Sequence, residues 1–269
     1  MKLCSYYRED TLYCGLIAGD RVIECGHDIR QLLISPADRA QGQSYRLDEI
    51  TLAPVIPKPD KIFCIGVNYH DHRRETGRPE IPSPTVFTRF ANTLIAAGQP
   101  ICLPPESSKV DFEGELAVVI GKPGRRIHEA DAWDHVAGLT CFNDISVRDW
   151  QGHASQFTPG KNFVGTGPLG PWLTTLDEVA DPSGLQLTTT VSGQVMQNAS
   201  TRDLIFPIPR LIAYISTFTE LAAGDVISTG TPGGVGYKRT PPRYLQPGDT
   251  VVVEIEGVGR LENPVESEA

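Results

Sequence analysis

The segment Asp111-Phe112-Glu113-Gly114-Glu115 sets two glutamates two positions apart. In an extended strand, positions i and i+2 share a face, so a strand here aims both carboxylates at one point. A third carboxylate, Asp144, lies near the end of the run 138–145, in Asn143-Asp144-Ile145. Three carboxylates converging on one spot make a hard-oxygen cage that suits Mg²⁺ or Mn²⁺ and leaves positions for water and substrate. The same spacing also describes two solvated glutamates on an exposed face beside a turn-capping aspartate.

A second group lies in Asn68-Tyr69-His70-Asp71-His72-Arg73-Arg74-Glu75. On a helix, His72 and Glu75 stand three apart and can share a hydrogen bond that orients the imidazole and raises its basicity, as a general base requires. A surface ion pair is the plainer alternative. A cupin-like metal pair at His70 and His72 fails, because Glu75 follows too early and no later glycine-rich segment supplies another histidine. Pro159-Gly160-Lys161-Asn162-Phe163, followed by Gly165, Gly167 and Gly170, offers a lysine to a carboxylate or an oxyanion. A phosphate-binding Walker loop is excluded, since no Gly-Lys-Ser/Thr closes the spacing. The run Ser228-Thr229-Gly230-Thr231-Pro232-Gly233-Gly234-Val235-Gly236 could hold an anion on its hydroxyls and N–H groups, or be a plain turn. No Gly-x-Ser-x-Gly elbow is present, which argues against a serine hydrolase.

The elements that must position these residues are short and strand-rich. Glycine (26) and proline (22) are frequent among the 269 residues, favouring turns and strands over a helical bundle. Residues 1 to about 50 read as short strands and a short helix at 28–33, and three prolines within 53–60 break the chain there. A buried strand begins at Lys61, and the polar stretch 68–76, bounded by Gly66 and Gly77, has the composition of a lid with one or two helical turns. Strands follow at 114–120 and 138–145, with a short helix at 129–136 between them, and a hairpin over 185–199 turns at Ser192-Gly193. Pro207 starts the best helix, with Ile208, Leu211, Ile212, Ile215 and Phe218 on one face. Strands at 225–229 and 250–256 complete a β-rich α+β fold.

Composition narrows the function. At 40% hydrophobic and 21% charged residues the chain is ordinary for a globular protein, and its net charge of −9 argues against nucleic acid as a partner. No aliphatic run approaches the ~20 residues of a membrane span. The N-terminus lacks the apolar stretch of a secretory signal, and the six cysteines form no Cys-x-x-Cys pair, so free thiols in the cytoplasm are expected.

Together these segments resemble the fumarylacetoacetate hydrolase family over about residues 61–265. The resemblance is carried, in order, by Asn68-Tyr69 with Asp71-His72 and Glu75; Asp111-Phe112-Glu113-Gly114-Glu115-Leu116; Asn143-Asp144 with Arg148-Asp149-Trp150-Gln151; Gly160-Lys161-Asn162-Phe163; and Thr229-Gly230-Thr231-Pro232. It implies a mixed β-sandwich or β-roll as a catalytic domain over 60–266, behind a small N-terminal β-rich domain over 1–55. It further implies a divalent metal, Mg²⁺ or Mn²⁺, on Glu113, Glu115 and Asp144, a His72–Glu75 dyad on a lid, and usually a homodimer. Substrate contacts are implied for Lys161, Gln151 and Thr231. Arg89 stands where many members carry a lysine and is taken as a further substrate contact.

The expected reaction is hydrolytic C–C cleavage of a 2,4-dioxo acid, an acylpyruvate or fumarylpyruvate. His72, backed by Glu75, deprotonates the attacking water, the metal acts as Lewis acid on the 1-carboxylate and 2-oxo groups, and Lys161 offsets charge on the oxyanion. The alternative keeps metal and enolate but omits the water: decarboxylation or keto–enol isomerisation of a 2-oxo acid of the oxaloacetate or hydroxymuconate type. A catalytically silent binder of dicarboxylates has no use for an oriented base.

Overall fold

A computed structural model describes residues 1–34 and 42–268. Its organising element is the strand Gly114–Ile120, buried along its whole length, as a strand covered on both faces must be. It lies inside a large sheet whose strands run, edge to edge, Ser44–Arg46, Arg21–Gly26, Thr11–Ala18, Lys2–Arg8, Gly167–Thr175, Val136–Asn143, Gly114–Ile120, Val226–Ser228, Ile62–Gly66 and Thr85–Thr88. Pairing along this path is antiparallel except between Val226–Ser228 and Ile62–Gly66. The first strands join the sheet through Lys2↔Thr174 and Leu3↔Leu173, so residues before the proline-rich 53–60 share a sheet with those after it.

Alternation along the central strand divides the core in two. Leu116, Val118 and Ile120 pack with Leu187, Val253, Ile255 and Leu261 of a second, five-stranded sheet and with Ile208, Leu211, Ile212 and Ile215 of the helix Ile208–Phe218. Ala117 and Val119 face the other way, toward Leu3, Leu32, Ile56, Ile62 and Cys64. The architecture is α+β, two mixed sheets packed face to face with few helices. No helix among the described residues is long and apolar enough to cross a membrane.

Local expectations hold with three adjustments. The hairpin turns at Ser192 and Gly193, both at positive φ (48° and 81°), which suits the twist of the flanking strands. Residues 129–135 form a 3₁₀ rather than an α-helix. Phe218 is 55% exposed, because it ends its helix beyond the sheet and only edges onto Phe63 and Tyr214. Finally, Glu113 is not in a strand: the chain breaks after the short strand Val110–Asp111, and the long strand begins at Gly114. Asp144 similarly follows the end of Val136–Asn143.

Leu116 touches both sheets' shared core and is fully buried. Leu116→Ala should destabilise the protein by about 2–5 kcal/mol through lost burial and a residual cavity, read as a shift in the urea midpoint with unchanged slope.

Candidate active site

The antiparallel pairing of Gly114 with Asn143 brings the two acid-bearing segments side by side, and the Asp144 N–H donates to the Glu113 carbonyl at 2.8 Å. The side-chain oxygen of Asn143 accepts the Glu113 N–H at 3.0 Å, fixing the break before the strand. One carboxylate oxygen from each of Glu113, Glu115 and Asp144 then lies within 4.8 Å of the others, and all three residues are buried. The solvated-face alternative is therefore excluded.

Buried carboxylates need compensation, and the chain supplies cations to two of the three. The Lys161 ammonium, 1% exposed, bridges Glu113 Oε2 at 2.6 Å and Asp144 Oδ2 at 2.5 Å. Arg148 pairs with the other Glu113 oxygen at 2.7 Å and with Asp111 at 2.8 Å. Burial alone would raise the Glu113 carboxyl, but the Lys161 and Arg148 charges outweigh it and bring it to about 2. Burial likewise disfavours the Lys161 ammonium, yet Asp144 and Glu113 raise it above its ordinary value. Glu115 has only dipoles: the Ser228 hydroxyl and the Gly230 N–H, the latter at 2.8 Å, donate to its Oε2. Burial, then the Asp144 and Glu113 charges, push its carboxyl well above the usual carboxylate range. Three hard oxygen donors, one of them lacking a cationic partner, fit a divalent cation.

The cage opens on a cavity of about 230 Å³, whose lining includes His72, Phe87, Arg148, Gln151, Phe157, Lys161, Thr231 and Tyr237. His72 lies on the helix His70–Thr76, is 5% exposed, and has Nδ1 at 3.2 Å from Glu75 Oε2. The other Glu75 oxygen accepts the Gly234 N–H at 3.0 Å. The dyad is thus an internal device, not a surface ion pair. Asn68 anchors the start of this segment, its amide donating to the carbonyls of Phe206 and Thr229 and accepting the Phe206 N–H.

Lys161, Gln151 and Thr231, for which the resemblance implied substrate contacts, all line the cavity. Thr231 is already engaged, donating to the Gly114 carbonyl and accepting from the Gln197 amide. Arg89 is turned away from the cavity. Its fully buried guanidinium holds Asp144 Oδ1 at 2.7 Å, the carbonyls of Ile145 and Thr166, and the Thr166 hydroxyl. The side chain therefore positions a cage carboxylate and has no donor directed at a ligand. The loop 228–236 also differs from expectation, because its N–H groups serve the protein's own acids: Gly230 serves Glu115, Gly234 serves Glu75 and Gly236 serves Asp111.

Arg148, Asp111, Gln197 and Tyr237 escaped the candidate set. Arg148 and Asp111 lie in the very segments singled out, so an ionic partner for each acid was a usable signal. Gln197 clamps Gly114 N–H to Thr231 and Pro232 from a strand with no motif. Tyr237 stacks under Arg148 at 4.3 Å, a contact only the fold creates.

Residues 61–266 match the fumarylacetoacetate (FAA) hydrolase C-terminal family. The chain belongs to the fumarylacetoacetate hydrolase family. Among curated relatives of this family, the mitochondrial oxaloacetate tautomerase FAHD2A of Bos taurus is 46% identical over 81% of the chain and 70% of its own length. The oxaloacetate tautomerase YisK of Bacillus subtilis (strain 168) is 42% identical over 92% of the chain and 83% of its own. A solved family structure, maleylpyruvate hydrolase from Sphingobium sp. SYK-6 in complex with manganese(II) and pyruvate, is 30% identical with a TM-score of 0.83, over the full length of both chains.

These relatives overturn hydrolytic C–C cleavage as the expected reaction. Both curated relatives are named oxaloacetate tautomerases, and a tautomerisation moves a proton and needs no attacking water. The names of these relatives agree with the alternative, which omits the water.

Glu115→Gln keeps the one oxygen that accepts from the Ser228 hydroxyl and the Gly230 N–H and removes a carboxylate that has no cationic partner. The fold should remain as stable as wild type, while Mn²⁺ affinity measured by calorimetry should fall at least about tenfold, as expected when one of three carboxylate ligands is lost. Arg89→Met should instead cost about 3–5 kcal/mol by leaving Asp144 short of a partner, read by denaturant unfolding.

Proposed function

We propose that this enzyme is a divalent-metal-dependent tautomerase interconverting the keto and enol forms of oxaloacetate or a close 2-oxo dicarboxylate. The observation that carries this reading is the buried His72, backed by the half-buried Glu75 and lining the same small cavity as the three-carboxylate cage. The similarity to the bovine and Bacillus tautomerases supports the choice of substrate.

Glu75 accepts a hydrogen bond from Nδ1–H of His72, which leaves Nε2 as the basic nitrogen. That nitrogen takes the proton from C3 of the keto form and passes it to the 2-oxo oxygen to give the enol; in the reverse direction it takes the enol hydroxyl proton and delivers it to C3. Glu75 steadies the imidazolium, and Gly234 N–H holds Glu75 in turn. When bound by Glu113, Glu115 and Asp144, Mg²⁺ or Mn²⁺ supplies a Lewis acid that makes C3–H more acidic. Lys161 places a fixed positive charge beside the cage, where negative charge gathers on the substrate oxygen as C3 is deprotonated. Phe87 and Phe157 close the apolar side of the cavity and limit water. A reducing compartment suits the buried thiols of Cys64 and Cys141, and the bovine relative's mitochondrial name makes the cytoplasm one of two such places.

His72→Ala should lower kcat/KM for ketonisation of enol-oxaloacetate by about 10²–10⁴, the usual worth of a positioned base. Mn²⁺ affinity should be unchanged, because His72 is not among the cage oxygens. The rate is followed by enol absorbance with Mn²⁺ and with EDTA, and a wild-type rate in His72→Ala would sink the proposed mechanism.

A further inference from the structure

Beside the active cavity lies a second one of about 500 Å³, and Val67, Arg78, Gln151, Gly152 and Phe157 line both. The cations around these two spaces are nearly all engaged by the protein. Arg148 pairs with Asp111 and Glu113, Lys161 with Glu113 and Asp144, and Arg73 with Glu80 at 2.8 Å. Arg78 is the exception among the described residues lining them: none of the described carboxylates pairs with it, and it sits on the boundary of the active cavity.

Its placement is built into the backbone. The helix carrying His72 ends at Gly77, in the left-handed conformation with φ 66°, and the Arg78 N–H closes back onto the Arg73 carbonyl at 3.1 Å. This paired closure fixes the direction in which the chain leaves the helix. Arg78 is therefore tied to the segment that carries the proton-transferring histidine, six residues away.

We propose that Arg78 receives the distal carboxylate of a 2-oxo dicarboxylate whose 2-oxo acid end lies at the acid cage, and so selects dicarboxylates over 2-oxo monocarboxylates. This rests on the tautomerase reading for the cage end of the substrate. A second carboxylate needs a cation with donors to spare, and a guanidinium offers a planar pair of them.

The test compares wild type, Arg78→Gln and Arg78→Lys, all Mn²⁺-loaded, on enol-oxaloacetate and on its C4 methyl ester, which lacks the distal charge. Arg78→Gln should raise KM for oxaloacetate about 10–100-fold, the loss expected of a charge-assisted hydrogen bond, with kcat much less affected. Arg78→Lys should recover part of that loss. On the ester, wild type and Arg78→Gln should have the same KM. Equal KM values for oxaloacetate in wild type and Arg78→Gln, or an equal loss on both substrates, would overturn the proposal. Calorimetric displacement of oxalate by oxaloacetate gives a reading independent of turnover. If no variant, wild type included, tautomerises oxaloacetate, the reaction is wrong. Weaker displacement by oxaloacetate in Arg78→Gln, with oxalate binding unchanged, would still support Arg78's role, whereas unchanged displacement would refute it.

Discussion

An alternating line of buried charges runs through the centre of the molecule: Asp111, Arg148, Glu113, Lys161, Asp144 and Arg89, each ion-paired to the next. Taking any one of these groups out of water is costly, and the cost is tolerable only because the next group stands within about 3 Å. Each side chain therefore constrains its neighbours more tightly than packing alone would. The line holds three acids and three bases. Glu115 stands outside it, held by a hydroxyl and an N–H and with no cation of its own. A third buried oxygen ligand without a cationic partner, beside Glu113 and Asp144, suits a divalent cation.

The line is held by backbone as much as by side chains. The turn residues 230–237 direct N–H groups at Glu115, Glu75 and Asp111, so a single loop sets the orientation of the cage, the dyad and the outermost acid. Gly236 shows why the loop needs glycine: a Cβ there would lie 1.9 Å from the Arg243 carbonyl oxygen and 2.5 Å from the Asp111 carboxylate. The dipeptide amide of Gly114 is gripped by Gln197, which also binds Thr231, so the strand start and the loop move as one. The proton transfer proposed for His72 would depend on this rigidity, because a base displaced by an ångström loses much of its effect.

A site built this way can serve more than one reaction. A buried cage beside an oriented histidine suits the enolate of a 2-oxo acid, whether that enolate forms by water attack and C–C cleavage, by loss of a carboxylate as CO₂, or by removal of a C–H proton. The enolate is common to these reactions, and which one forms it is a matter of what else the cavity admits. In this chain the space is small, aromatic on one side, and ringed by cations already committed to protein acids, apart from Arg78 at its boundary.

The residue types and spacings singled out Glu113, Glu115 and Asp144, the His72–Glu75 pair and Lys161 as candidates beside plainer surface readings, and they located the main strands and the helix from Pro207. Period-two and period-three spacings are local properties, and the chemistry of an acid or an imidazole is intrinsic to the residue. What the sequence could not determine was which charges would be buried together and which way they would face. Arg89 and Arg148 are equally plausible substrate ligands by type, and only the fold turns the first behind Asp144 and sets the second between Glu113 and Asp111. Whether Glu113 sat in water or in the core, and whether the loop at 228–236 served a ligand or the protein, likewise depended on strands more than fifty residues away. Burial and pairing are properties of long-range packing, and the energy that decides them exists only once the sheets have closed.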